Sequence, residues 1–223
     1  MTVRGRILIL YAVVSCIVLC LLDGFVNPSY PVKSAVKIIM FFVLPLFVSM
    51  IMKKREISRL LSFDKRGFPM SFFIGIIVYV MIILVFEIAK AVMQKKDGMD
   101  WNRGIIYENY SLYLVINMYI AFINSFIEEF FFRGLTFLTL EHETAREKAY
   151  FISSLMFSLY HFPMLFKKIT ALMLISALVI LFFSGYLFNK CDEKYRNIYP
   201  SWVIHIFANL ALNTLGIYVL CPC

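Results

Sequence analysis

Two adjacent carboxylates and an arginine lie in the middle of an apolar run. Residues Phe126 to Gly134 read Phe-Ile-Glu-Glu-Phe-Phe-Phe-Arg-Gly, which sets Glu128, Glu129 and Arg133 among bulky hydrocarbon neighbours. Near the centre of a membrane helix each such charge costs about 2.5 to 3.5 kcal/mol, so these groups must pair or face a wet cavity. Helix geometry separates their roles. Residues four apart share a face, so Glu129 reaches Arg133, while Glu128 is turned about 100° away from that pairing. Glu128 is therefore the freer carboxylate. Among apolar rings and without a fixed counter-ion it is poised to exchange a proton, as a general base or acid must.

Two further sets carry polar chemistry at the same spacing. Phe157 and His161 share a helix face, and Pro163 two residues later should end or kink that helix. His205 and Asn209 share another face, with Asn213 continuing it, so an imidazole and a carboxamide point the same way. Such a pair can stabilise an oxyanion, hold a water or contribute an imidazole to a metal. It can equally serve as an interhelical hydrogen bond that holds a bundle together.

The elements that position these groups are membrane helices. The chain has 223 residues, 61% hydrophobic, 17% aromatic and 16% charged, and its mean hydropathy is +0.81. No ordinary soluble domain has this composition. Apolar runs span Ile7 to Leu22 and lie near residues 35 to 52, 71 to 93, 112 to 140, 149 to 166, 170 to 188 and 201 to 220. The expected fold is all-α, a polytopic membrane helix bundle of about seven transmembrane helices, forming a single membrane domain over residues 1 to 223. The first run follows Arg4 and Arg6 but meets Asp23 and Gly24 in place of a small-residue cleavage pattern, and so reads as a retained span. Tyr107, Tyr110, Tyr113 and Trp202 sit at span ends as interfacial anchors.

The net charge of +8 does not indicate nucleic acid, because the basic residues sit between apolar runs and form no basic face or binding module. Anionic lipid is the expected partner. With the N-terminus in the cytoplasm, Arg4, Arg6, Lys53, Lys54, Arg55, Arg59, Lys65, Arg66, Arg146, Lys148, Lys190, Lys194 and Arg196 fall on the cytoplasmic side. Fewer fall on the other side: Lys33, Lys37, Lys90, Lys95, Lys96, Arg103, Lys167 and Lys168. The positive-inside rule favours that orientation. Cys16, Cys20 and Cys191 fit no disulfide framework or zinc motif, and Cys221 and Cys223 flank Pro222 as an uncoupled tail pair.

At about 1.5 Å per residue, Glu128 lies about 18 Å from Leu140 and His161 about 18 Å from Ala149, so the two reach similar depths. His205, about 6 Å from Ser201, is shallower unless its helix begins earlier, around Tyr195.

Read in order, Glu128-Glu129-x-x-x-Arg133, Phe157-x-x-x-His161 and His205-x-x-x-Asn209 resemble the three motifs of the CPBP (Abi) family of intramembrane proteases. That family includes type II CAAX prenyl endopeptidases and bacteriocin-processing or immunity proteins. Each motif alone is weak; their order, spacing and placement on three spans make the resemblance specific over roughly residues 110 to 220, the family's catalytic core. The resemblance implies that Glu128 activates the attacking water, His161 assists it, and His205 and Asn209 stabilise the oxyanion, while Glu129 and Arg133 orient the site with Phe157 in support. It implies a multi-pass protein of the plasma membrane acting on a peptide or lipidated protein substrate. It leaves open whether a divalent metal such as zinc is held by Glu128, His161 and His205 or whether the mechanism is metal-free. The lack of an HExxH motif or another close His pair leans to the latter. Two other readings stand beside it. One is a non-catalytic immunity or scaffold protein that uses the same residues as helix contacts. The other is an ion-coupled transporter using Glu87, Glu128 and Glu129, which lacks the expected repeated halves.

Overall fold

The computed structural model describes residues 1–26, 28–51, 60–97, 110–166 and 169–220. Tyr107, Lys53, Lys54, Arg55, Arg59, Arg103, Lys167, Lys168 and the Cys221-Pro222-Cys223 tail lie outside the described residues. Among those described there is helix and no strand. Six helices are long and apolar enough to cross a bilayer: α1 (Val3–Val26), α2 (Tyr30–Val48), α3 (Lys65–Ala91), α4 (Ser111–His142), α5 (Arg146–Phe166) and α6 (Ala171–Tyr195). A seventh, α7 (Tyr199–Leu220), has the length, with His205, Asn209 and Asn213 interrupting its apolar run. The protein is therefore an all-α, multi-pass membrane protein, with each helix closing its own backbone hydrogen bonds as hydrocarbon demands.

Local chemistry sets the helix ends. Thr2 caps α1, its hydroxyl accepting from the Gly5 amide at 3.0 Å, and Thr170 caps α6 by accepting from Met173. Helix α6 stops where Arg196 turns left-handed at φ 56°. Tyr195 thus belongs to α6, and α7 begins at Tyr199, so the earlier start considered for the seventh helix does not form. Pro163 acts as expected, since the first part of α5 ends at Tyr160 and His161 sits in the turn that follows.

Three helices widen from α to π geometry, α1 over its last turn, Leu22–Val26. In α2 the π segment Ile39–Val43 precedes Pro45, which has no amide for the carbonyl four residues back. In α4 there are two such segments, Tyr119–Asn124 and Phe130–Thr139, on either side of the α-helical Ser125–Glu129. The Thr136 and Thr139 hydroxyls donate to carbonyls five residues back, Phe131 and Gly134, each at 2.9 Å.

The described residues form two compact units: Met1–Arg66 with Ile127–Ser201, and Gly67–Phe126 with Trp202–Cys223. Unit 1 is built on α1, α2, the second part of α4, α5 and α6. Its core stacks Phe41 of α2 on Phe131 of α4, ring centroids 3.8 Å apart, with Phe132, Phe157 and Tyr160 around them. Helices α5 and α6 approach closely at Gly185, where an added Cβ would stand 3.1 Å from the Ser154 Cα. Unit 2 is built on α3, the first part of α4 and most of α7. Its seam runs through neutral hydrogen bonds, among them Tyr79 to Thr214 at 2.9 Å, and through Phe72 set edge-on to Phe207.

Candidate functional site

The α-helical turn Ser125–Glu129, held between the two π segments of α4, carries both carboxylates. π-Helical turns are uncommon and concentrate at functional sites. Glu129 is wholly buried and its Oε2 lies 3.0 Å from the Nε of Arg133, which is also wholly buried. This is the i, i+4 ion pair read from the sequence. The Arg133 guanidinium lies over the Phe157 ring at 4.0 Å and near the Phe188 ring at 4.9 Å. None of the guanidinium nitrogens finds hydrogen-bond geometry, so the group is held by charge and by rings.

Glu128 is 4% exposed and is not without a cation, which corrects the expectation of a freer carboxylate. Its Oε1 accepts directly from the Nζ of Lys37 on α2, and the Lys37 ammonium also stands 5.1 Å from the Tyr160 ring centroid. Lys37 was placed by sequence among the flanking charges of the far side; it is instead buried inside the helices. A lysine within an apolar run is the same signal that marked Glu128, but its place near the end of the run hid it.

His161 follows the last turn of the first part of α5. Its Nδ1 is 2.7 Å from the Phe157 carbonyl oxygen. A carbonyl can only accept, so Nδ1 carries a hydrogen. The Phe157 and His161 rings lie 4.9 Å apart, edge to face, so Phe157 contacts both Arg133 and His161. Glu128, Glu129, Arg133, Phe157 and His161 are thus all placed in unit 1.

His205 and Asn209 are placed in unit 2. His205 is buried on α7. The Asn209 carboxamide donates to the Ile120 carbonyl at 3.2 Å, Asn213 donates to the Asn117 carbonyl at 3.1 Å, and the Trp202 indole donates to the Phe122 carbonyl at 3.0 Å. Ile120 and Phe122 lie in the π segment Tyr119–Asn124, where both carbonyls already accept from the Ser125 amide, so the α7 donors add second bonds to them. One face of α7 therefore ties down the irregular first part of α4. Tyr113, read as an interfacial anchor, donates to the Asn213 carbonyl at 3.4 Å, and Trp202 packs edge-on to Phe126 as well as making its hydrogen bond.

Unit 1 also holds a polar cluster that sequence reasoning passed over. Asp192 on α6 is fully buried and accepts from both the amide and the hydroxyl of Ser201, at 2.9 and 2.6 Å, pinning the start of α7. Asn189, one turn earlier, is fully buried and accepts from the Ser153 hydroxyl at 3.1 Å. Asp192 sits in a chain stretch dense in charge, Lys190 to Lys194, which reads as a solvated helix end, so no periodic signal picked it out. Among the described residues no group of three or more His, Cys, Asp and Glu side chains gathers as a metal site would require.

Residues 110–211 match the family described as type II CAAX prenyl endopeptidase, Rce1-like, and this agrees with the CPBP resemblance read from the three motifs, all of which fall inside the matched stretch. No curated protein and no solved structure matches the chain.

Proposed function

We propose, taking the Rce1-like match over residues 110–211 as premise, that this protein is an intramembrane endopeptidase. It hydrolyses a peptide bond of a membrane-associated substrate, either a CAAX-type prenylated protein or a bacteriocin or leader peptide. The observation that carries the reading is a carboxylate, Glu128, buried in a membrane helix inside the matched stretch.

In this mechanism Glu128 takes a proton from water, and the resulting hydroxide attacks the scissile carbonyl carbon. His161 assists in orienting the water, the direction of its ring fixed by the bond from Nδ1–H to the Phe157 carbonyl. The carbonyl oxygen becomes an oxyanion, whose stabilisation the family resemblance assigns to His205 and Asn209. Collapse of the tetrahedral intermediate breaks the C–N bond, and the proton held by Glu128 passes to the leaving amine. Glu129 and Arg133 fix the helix turn that presents Glu128. Low dielectric around the site strengthens each oriented dipole.

In the same reading the protein lies in the plasma membrane with its N-terminus in the cytoplasm, and substrate enters laterally or from the cytoplasmic face. A second reading, a non-catalytic immunity or scaffold protein, draws support from the helix-to-helix hydrogen bonds of Asn209 and Asn213. Cleavage of a panel of leader and prenylated peptides by detergent-purified wild type and Glu128→Gln, each with and without a strong chelator, separates them. A loss of about 10²- to 10⁴-fold in the variant, with wild type resistant to chelator, is the expected result. Sensitivity to chelator would assign the water to a metal, and equal behaviour of both proteins would leave the scaffold reading.

A further inference from the structure

Lys37 lies outside the stretch that carries the three motifs, yet it is the cation on the carboxylate proposed to act as base. Its side chain leaves the polar flank of α2, where Tyr30, Lys33 and Ser34 precede it, and enters the aromatic core of unit 1. There the ammonium meets two partners at once, the Glu128 Oε1 and the face of Tyr160. Phe41, one turn further along α2, stacks on Phe131 and packs against Tyr160, so the helix that delivers the ammonium is itself locked to α4 and α5.

A carboxylate in such a setting is costly to keep charged unless a cation compensates it. An ammonium on a flexible stem does this while occupying few of the roughly four acceptor sites a carboxylate offers. Pairing therefore does not exhaust the capacity of Glu128 to take a proton. We propose that Lys37 is a positioning residue of the Glu128 site, whose ammonium keeps the carboxylate ionised and fixed in direction for its work on water. This inference rests on the hydrolase reading for its catalytic half. The charge state it assigns to Glu128 does not depend on that reading.

The test joins an activity-independent readout to turnover, using the full chain in detergent as wild type, Lys37→Met and Lys37→Arg, with Lys37→Gln in reserve should the methionine variant fail to fold. Dicyclohexylcarbodiimide, an apolar reagent that attacks protonated carboxyls, is mapped on Glu128 by mass spectrometry, with Glu128→Gln as blank. Labelling of Glu128 should be low in wild type and Lys37→Arg and rise several-fold in Lys37→Met. On a peptide that wild type cleaves, Lys37→Met should lose about a hundredfold in kcat with KM little changed, as displacement of a reacting group does. Lys37→Arg should recover most of the loss, which general destabilisation would not allow. Unchanged labelling in Lys37→Met overturns the proposal, and so does unchanged kcat in that variant. If wild type cleaves nothing on the panel while labelling follows Lys37, the hydrolase reading fails and the ionising role of Lys37 stands.

Discussion

The two compact units hold their polar groups in different ways. In unit 1 ionisable side chains are buried: Glu129 with Arg133, Glu128 with Lys37, and Asp192 on the amide and hydroxyl of Ser201. In unit 2 the hydrogen bonds that hold α7 are neutral, running from Asn209, Asn213 and Trp202 to carbonyls of α4 and from Tyr79 to Thr214. Removing one member of a buried ion pair costs about 3 to 5 kcal/mol. A neutral hydrogen bond between membrane helices is worth about 0.6 kcal/mol. The residues of the three sequence motifs therefore divide between a unit that buries ionisable pairs and one whose α7 contacts are individually weak.

The sharpest way to break this contrast is Glu129→Gln. It leaves a wholly buried guanidinium without its carboxylate, so stability in detergent should fall by about 3 to 5 kcal/mol. Arg133→Met should cost as much, and the double variant less than the sum of the two, since it removes both charges together. Chemical denaturation of the three variants reads this. A cost below about 1 kcal/mol for Glu129→Gln would place unit 1 on the same footing as unit 2.

Much of this contrast was legible before any coordinates. The pairing of Glu129 with Arg133 follows from i, i+4 geometry alone, and the spans follow from hydropathy, their ends shifting by several residues in either direction. The ion pair between Lys37 and Glu128 was not legible, because it joins residues 91 apart and depends on which face α2 turns to α4. Asp192 was missed for another reason. Its partner, Ser201, belongs to the next helix, and only the left-handed turn at Arg196 brings the two together. The widening of α4 was equally invisible, since none of its residues forces a π turn as Pro45 does in α2.

Unit 2 offers its own internal control. Asn209 and Asn213 sit one turn apart and each donates to a carbonyl of α4, so alanine at either should cost a similar stability of about 0.6 kcal/mol. The proposed chemistry separates them. Asn209→Ala should lose about 10²- to 10³-fold in turnover, as removal of an oxyanion donor does. Asn213→Ala should stay within a few-fold of wild type. Equal losses in both variants would make the α7 face a helix contact and nothing more.

The smallest effect belongs to Asp64, just before α3. Its carboxylate accepts from the Arg66 side chain at 2.7 to 3.1 Å and from the Arg66 amide at 2.9 Å, and these bonds hold it below its ordinary value. A group lowered on folding adds stability above its unfolded value, about pH 4, and gives it up as pH falls through the folded one. The site is exposed and screened, so the contribution is slight. Asp64→Asn should melt slightly below wild type from pH 5 to 7, with the gap closing below about pH 4 and narrowing in high salt. Because the buried pairs of unit 1 are far less open to solvent ions, salt should leave the deficit of Glu129→Gln standing where it erases that of Asp64→Asn. A Glu129→Gln deficit that vanished with salt would mean that water reaches the Arg133 pair after all.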